Sequence, residues 1–168
     1  MKSTRAICSY AREKGGLQVN LEVFDYDVEK YALIGPAPRA ARFAVEISEE
    51  FDNFGLMIDL SHITQLRESL DENIDPIAAY IRHVHIANSV LTLGAPAYGD
   101  QHPGFYFPNS VVDRELLAAF LRKLIRIGYI APGKRPIVAF EVKPWGDEDS
   151  ETVLAGAKRF LRETWTLV

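Results

Sequence analysis

The chain has 168 residues, 48% hydrophobic and 25% charged, with a formal net charge of −4, the profile of an ordinary soluble globular domain. No apolar run approaches the roughly 20 residues of a membrane span, and the opening Met1-Lys2-Ser3-Thr4-Arg5 lacks a secretory apolar region. A single cysteine, Cys8, excludes an internal disulfide framework and suits a reducing cytoplasm, while the acidic balance argues against a nucleic-acid surface.

A polar helical pattern over roughly residues 3–14 ends at Gly15-Gly16 and leads into residues 17–23, which alternate and then run apolar as a strand does. Pro38 suits a first helical turn, and Ala40, Phe43, Ile47 and Phe51 follow at helical spacing. Residues 55–59 are a short apolar run, the mark of a buried parallel strand. Asp75-Pro76 reads as the cap and first-turn proline of a short helix, which feeds a strand over 82–86. Residues 87–110 form a connection beyond the usual 12–15 residue limit, and its aromatic, Gly/Pro-punctuated composition predicts an ordered, ligand-facing loop. A helix over 113–127 carries Leu116, Leu117, Phe120, Leu121, Leu124 and Ile125 on one stripe and stops at Gly128. The fourth strand is 136–141. The last helix has Asp147, Glu148 and Asp149 at its positive end, with Val153, Leu154, Ala157, Phe160 and Leu161 facing inward.

Strands alternating with helices imply right-handed βαβ units and a parallel α/β sheet. A doubly wound sheet satisfies the same order, so the choice of a barrel comes from where the polar residues fall. Each predicted strand carries a potential metal ligand towards its carboxyl end: Glu22, Asp59, His85 and Glu141. That edge is where parallel α/β folds bind ligands. Taken singly, a carboxylate there serves equally well as a helix cap. Four at equivalent positions would repel and pay desolvation in a shared cavity unless a divalent cation joined them. His62 follows Asp59 by three, on the loop above the same strand, and Asp100-Gln101-His102 lies within the long loop; these three residues are candidates for a second metal or for substrate hydroxyls. His83 shares a strand face with His85 and reads as a hydrogen-bonded core histidine one layer deeper. Lys143 follows Glu141 by two and either points into the same mouth or is solvated. Cys8 reads as packing.

The order Glu22 at a strand end, Asp59-x-x-His62, His83-x-His85, Asp100-x-His102 and Glu141 resembles the xylose isomerase-like TIM-barrel superfamily of sugar isomerases, ketose 3-epimerases, inosose-type enzymes and endonuclease IV-type apurinic endonucleases. The resemblance covers nearly the whole chain but only the carboxyl-terminal half of that family's barrel. It implies one domain over residues 1–168, a four-stranded half or truncated (βα)₈ barrel, since the full barrel needs about 250 residues. It also implies that Glu22, Asp59, His85 and Glu141 hold a divalent metal (Mn²⁺, Co²⁺, Zn²⁺ or Mg²⁺) and that Glu22 and Glu141 exchange substrate protons.

The favoured expectation is a cytoplasmic, metal-dependent isomerase or epimerase of a sugar or related polyol-derived ketone. The second is a zinc-dependent phosphodiesterase on abasic DNA, which makes more of His62, Asp100 and His102 but lacks an evident Lys/Arg cluster. The third is a non-catalytic half-barrel. In each case two exposed strand edges and an apolar inner face call for a cover, from a homo-oligomer partner or an amino-terminal half-barrel.

Overall fold

A computed structural model describes all of residues 1–168. The order of elements is α1 (Lys2–Glu13), β1 (Val19–Glu22), α2 (Ala37–Ser48), β2 (Phe54–Asp59), α3 (Leu60–Leu66), α4 (Leu70–Ile74), a 3₁₀ helix (Asp75–Tyr80), β3 (Ile81–Ala87), α5 (Arg114–Arg126), β4 (Ile137–Glu141) and α6 (Ser150–Trp165). The strands form one open parallel sheet in the order β1-β2-β3-β4, so β1 and β4 are its edges. This is the alternating α/β arrangement expected from the sequence. No helix is long and apolar enough to cross a membrane.

Two helices were not expected. α3 starts directly after β2, so His62 lies on a helix and not on a loop. α4 follows, with Ser69 and Glu72 forming a reciprocal capping box, a signal legible in Ser69-x-x-Glu72. The remaining differences lie at helix ends and flanks. Phe51 falls beyond the end of α2, and Ile125 and Leu154 are exposed rather than inward-facing.

The apolar residues of β2 and β3 that alternate away from the ligands (Leu56, Ile58, Val84 and Ile86) are buried against the helices in one continuous core with Phe43, Ile47, Phe120, Leu121 and Phe160. Cys8 is part of that core, as expected, and its carbonyl accepts a hydrogen bond from the buried Asn53 amide at 3.0 Å. The opposite, inner face differs from the apolar surface anticipated. Arg82 is an extra residue in the β2–β3 register, where Leu56 pairs with Ile81 but Met57 pairs with His83. Its side chain crosses Gly55, where an added Cβ would stand 2.9 Å from Arg82 Cβ and 3.0 Å from Asn20 Oδ1, so only glycine fits. Asn20, Arg82 and His83 thus share this face with the ligands. Strand alternation sends most large apolar side chains to the helices, and Met57 and the exposed Ile137 are left on the inner face among polar and small ones.

Lys123 on α5 is 3% exposed, and its ammonium lies 2.5 Å from both Asp71 and Asp75. Burial alone would lower the Lys123 pKa, but the two carboxylates raise it, and Lys123 lowers that of Asp71. A depressed carboxylate pKa contributes stability that is present above the unfolded value near pH 3.9 and lost as the pH falls through the folded value. Lys123→Met keeps the packed stem and removes the charge. Its stability is therefore expected to fall less steeply than that of the native chain on acidification from pH 5 to pH 2.5, as read from urea unfolding midpoints. Parallel slopes would contradict this.

Candidate metal centre

Glu22 and Glu141 end the two edge strands, and Asp59 ends β2. His85 lies within β3, paired with Asp59 across the ladder. In a flat sheet the edge strands would lie roughly 14 Å apart, at about 4.8 Å per step. Yet one ligand atom from each of Glu22, Asp59, His85 and Glu141 lies within 4.8 Å of all the others. The sheet is curled like a barrel wall, and its concave side gathers the four groups predicted from the sequence.

Asp59 caps a helix and also faces the cluster. Its Oδ1 accepts a hydrogen bond from Ser61 N at 2.6 Å and caps α3, while Oδ2 faces the cluster, 3.7 Å from His85 Nδ1. Capping fixes the entry to α3 and therefore the place of His62, which stands one helical turn on, on the same face as Asp59. His62 is 1% exposed; its Nε2 lies 3.2 Å from Glu22 Oε1 and its Nδ1 3.6 Å from Asp100 Oδ1, contacts without hydrogen-bond alignment. His102 Nε2 lies 2.8 Å from Asp100 Oδ1 and 3.7 Å from Glu141 Oε1. Asp59, His62 and His102 make a second convergent group that shares Asp59 with the first. His85 Nδ1 makes a close hydrogen bond with Glu141 Oε2.

Charge and burial pull these groups apart in pKa. Burial raises the Asp59 carboxyl to about 6. The hydrogen bond with His85 holds Glu141 down at about 2, and the same bond raises His85. Burial would raise Asp100, but His102 and Lys30 outweigh it and hold its carboxyl far below the ordinary range. Burial would lower His62 and His102, but the surrounding carboxylates raise both.

A divalent cation fits this donor set. Glu22 Oε1, Asp59 Oδ2, both nitrogens of His62, Asp100 Oδ1 and His102 Nδ1 are buried without a hydrogen-bond partner. Orphaned buried polar atoms are rare in folded proteins, and six of the fourteen in this chain lie together at the carboxyl edge of the sheet, where four carboxylates and three imidazoles crowd together. The largest surface concavity, of about 700 Å³, lies elsewhere, on the outer side of α2 around Leu33, Phe43 and Val45, and holds none of these donors.

The other candidate residues divide. Lys143 is exposed, but its ammonium donates to Gln101 Oε1 at 2.9 Å, so it stands at the rim of the cluster. His83 is only half-buried, with its ring 4.8 Å from that of His85 and no hydrogen bond at Nε2, which corrects the core-histidine expectation: it lies on the open inner face of the sheet. Sequence reasoning missed Glu29 and Lys30. Lys30 Nζ pairs with Asp100 Oδ2 at 2.8 Å, and no spacing connects residues 70 positions apart.

No protein-family model matches the sequence, and no curated protein does. Solved structures do. A D-allulose 3-epimerase from Methylomonas sp. superposes with a TM-score of 0.69 at 16% identity, covering 97% of this chain and 54% of that one. An L-ribulose 3-epimerase gives 0.66 at 22% identity, covering 96% and 52%. A 3-keto-D-glucoside 4-epimerase from E. coli gives 0.64 at 19% identity, covering 98% and 51%. Matches also include a putative xylose isomerase from Rhodospirillum rubrum. The chain spans about half the length of the solved proteins it resembles, and its fold matches half of their barrel.

Proposed function

We propose that the chain is the ligand-bearing, carboxyl-terminal half of a divalent-metal-dependent isomerase or epimerase acting on a sugar or related polyol-derived ketone. The observation that carries this reading is the convergence of Glu22, Asp59, His85 and Glu141 within 4.8 Å on the concave face of a half-barrel. Their mixed oxygen and nitrogen donors suit Mn²⁺, Co²⁺ or Zn²⁺ better than Ca²⁺. His62, Asp100 and His102 would hold a second ion or the substrate hydroxyls. Bound there, a divalent ion would polarise the ketone and the neighbouring hydroxyl.

The proton transfers fall to the chain's own carboxylates. Glu22 and Glu141 reach the centre from opposite edges of the sheet. One takes the proton from the carbon beside the carbonyl, and the electron pair moves towards the carbonyl oxygen. The other returns a proton to the same carbon from the opposite side, which inverts it. The hydrogen bond from His85 keeps Glu141 ionised at neutral pH. Asp59 and His62 hold the floor of the site and exclude water from it. The structural neighbours described as ketose epimerases favour this reading over phosphodiester cleavage. Lys30 and Lys143, the cations beside the cluster, are engaged by Asp100 and Gln101 rather than aimed outward at phosphates.

The test is solvent-proton exchange. D-Allulose or D-tagatose, incubated in D₂O with the protein and Mn²⁺ or Co²⁺, is expected to gain deuterium beside the ketone, as seen by NMR. The remaining wall would come from a second copy or an amino-terminal half, so mass by light scattering is measured on the same sample. Activity at twice the 18.9 kDa chain mass supports closure by a second copy. Absence of exchange both alone and with an added amino-terminal half would defeat the reading.

A further inference from the structure

The long loop reaches the cluster at residues 100–102, and the loop after β1 grips it there. Asp25 is fully buried, and its carboxylate accepts hydrogen bonds from the backbone N–H groups of Val28, Glu29 and Lys30 at 2.7, 2.9 and 2.8 Å. That tight turn presents two side chains to the long loop. Glu29 accepts from Asp100 N at 2.6 Å and from Gln101 Nε2 at 3.2 Å. Lys30 Nζ takes Asp100 Oδ2 at 2.8 Å. Gly99, at φ +89°, is pressed against the Glu29 carboxylate, where a Cβ would stand 3.3 Å from Glu29 Cδ and closer still to its oxygen. On the far side Lys143 N donates to His102 O at 2.9 Å.

The consequences fall on two donors of the cluster. Asp100 is only 5% exposed on its side chain, and a buried carboxylate is costly unless paired. With Oδ2 committed to Lys30, Oδ1 is left for His62 and His102. His102 sits at φ +45°, a conformation that non-glycine residues keep only when their surroundings hold them.

We infer that Glu29 and Lys30 are positioning residues that clasp the 99–102 segment so that Asp100 and His102 face Asp59 and His62. The inference rests on reading the cluster as a metal and substrate site, but part of its test is independent of that reading. Amide hydrogen exchange of residues 98–104 is measured in metal-free native chain, Lys30→Met, Lys30→Arg and the milder Glu29→Gln. Co²⁺ is then titrated into each and followed by its visible absorption. Lys30→Met is expected to speed exchange in this segment at least tenfold, leave β2 and β3 protected, weaken Co²⁺ binding about 10–100-fold and alter its spectrum. Lys30→Arg restores both readings, and Glu29→Gln gives a smaller change in the same segment. Unchanged exchange in Lys30→Met and Glu29→Gln overturns the clasp. Faster exchange with native Co²⁺ affinity and spectrum overturns positioning, leaving a merely structural contact. If the native chain binds no Co²⁺, the metal reading fails, and the exchange data alone decide whether the clasp exists.

Discussion

Glu141→Gln is expected to slow deuterium exchange into a ketose by about 10²–10⁴-fold, the usual worth of a positioned general acid or base. Gln keeps the shape of the side chain and its place at the end of β4, so the sheet has no reason to move. What it loses is the proton acceptor and the charge that engages His85. Because Glu141 is also proposed to hold the ion, the variant is compared with the native chain at saturating metal, with affinity measured by calorimetry on the same sample. A rate deficit that persists at saturation assigns the loss to proton transfer. A variant that exchanges solvent deuterium at the native rate removes Glu141 from the chemistry.

Metal is expected to stabilise the native chain and to do much less for Asp59→Asn. At a free ion concentration one hundred times the Kd, binding adds about 2.7 kcal/mol, which for a chain of this size raises Tm by about 5–10 °C. Asn preserves the cap on Ser61 N, because it is as good a helix cap as Asp, while removing the one carboxylate shared by both donor groups. Without metal the order reverses. Burial raises Asp59 to about 6, so its charge opposes folding: the penalty is fully present above about pH 6 and gone below the unfolded value near pH 4. Metal-free Asp59→Asn is therefore expected to melt no lower than the metal-free native chain at pH 8. Its advantage should vanish at acid pH. Equal metal-induced shifts in Tm for the two proteins would show that Asp59 is not a ligand.

Much of the architecture was legible because it is written in local periodicity. β2 and β4 appear as short apolar runs, β1 and β3 as segments in which apolar and polar residues alternate, and α5 appears as a stripe closed by Gly128. Errors followed where local signals are weak or serve two ends. α3 follows β2 with no intervening residue and is only seven residues long, too short for its period to stand out. α4 is five residues long and announced only by its capping box. The inner face was misjudged because alternation shows that a strand has two faces but not which of them a register shift will load, and Arg82 is that shift.

The cluster itself divides in the same way. Glu22, Asp59, His85 and Glu141 could be nominated from the chain alone, since a polar side chain at the end of a buried strand violates the local pattern at a cost that needs a reason. Their meeting point could not. The closeness of Glu22 to Glu141 depends on the curl of the sheet, which is a property of four strands together. The pairing of Lys30 with Asp100 depends on two loops that only the packed fold brings side by side. Periodicity and caps act over a few residues, so a linear reading recovers them; curvature, register and loop docking are sums over distant contacts, so they emerge only when the chain is closed on itself.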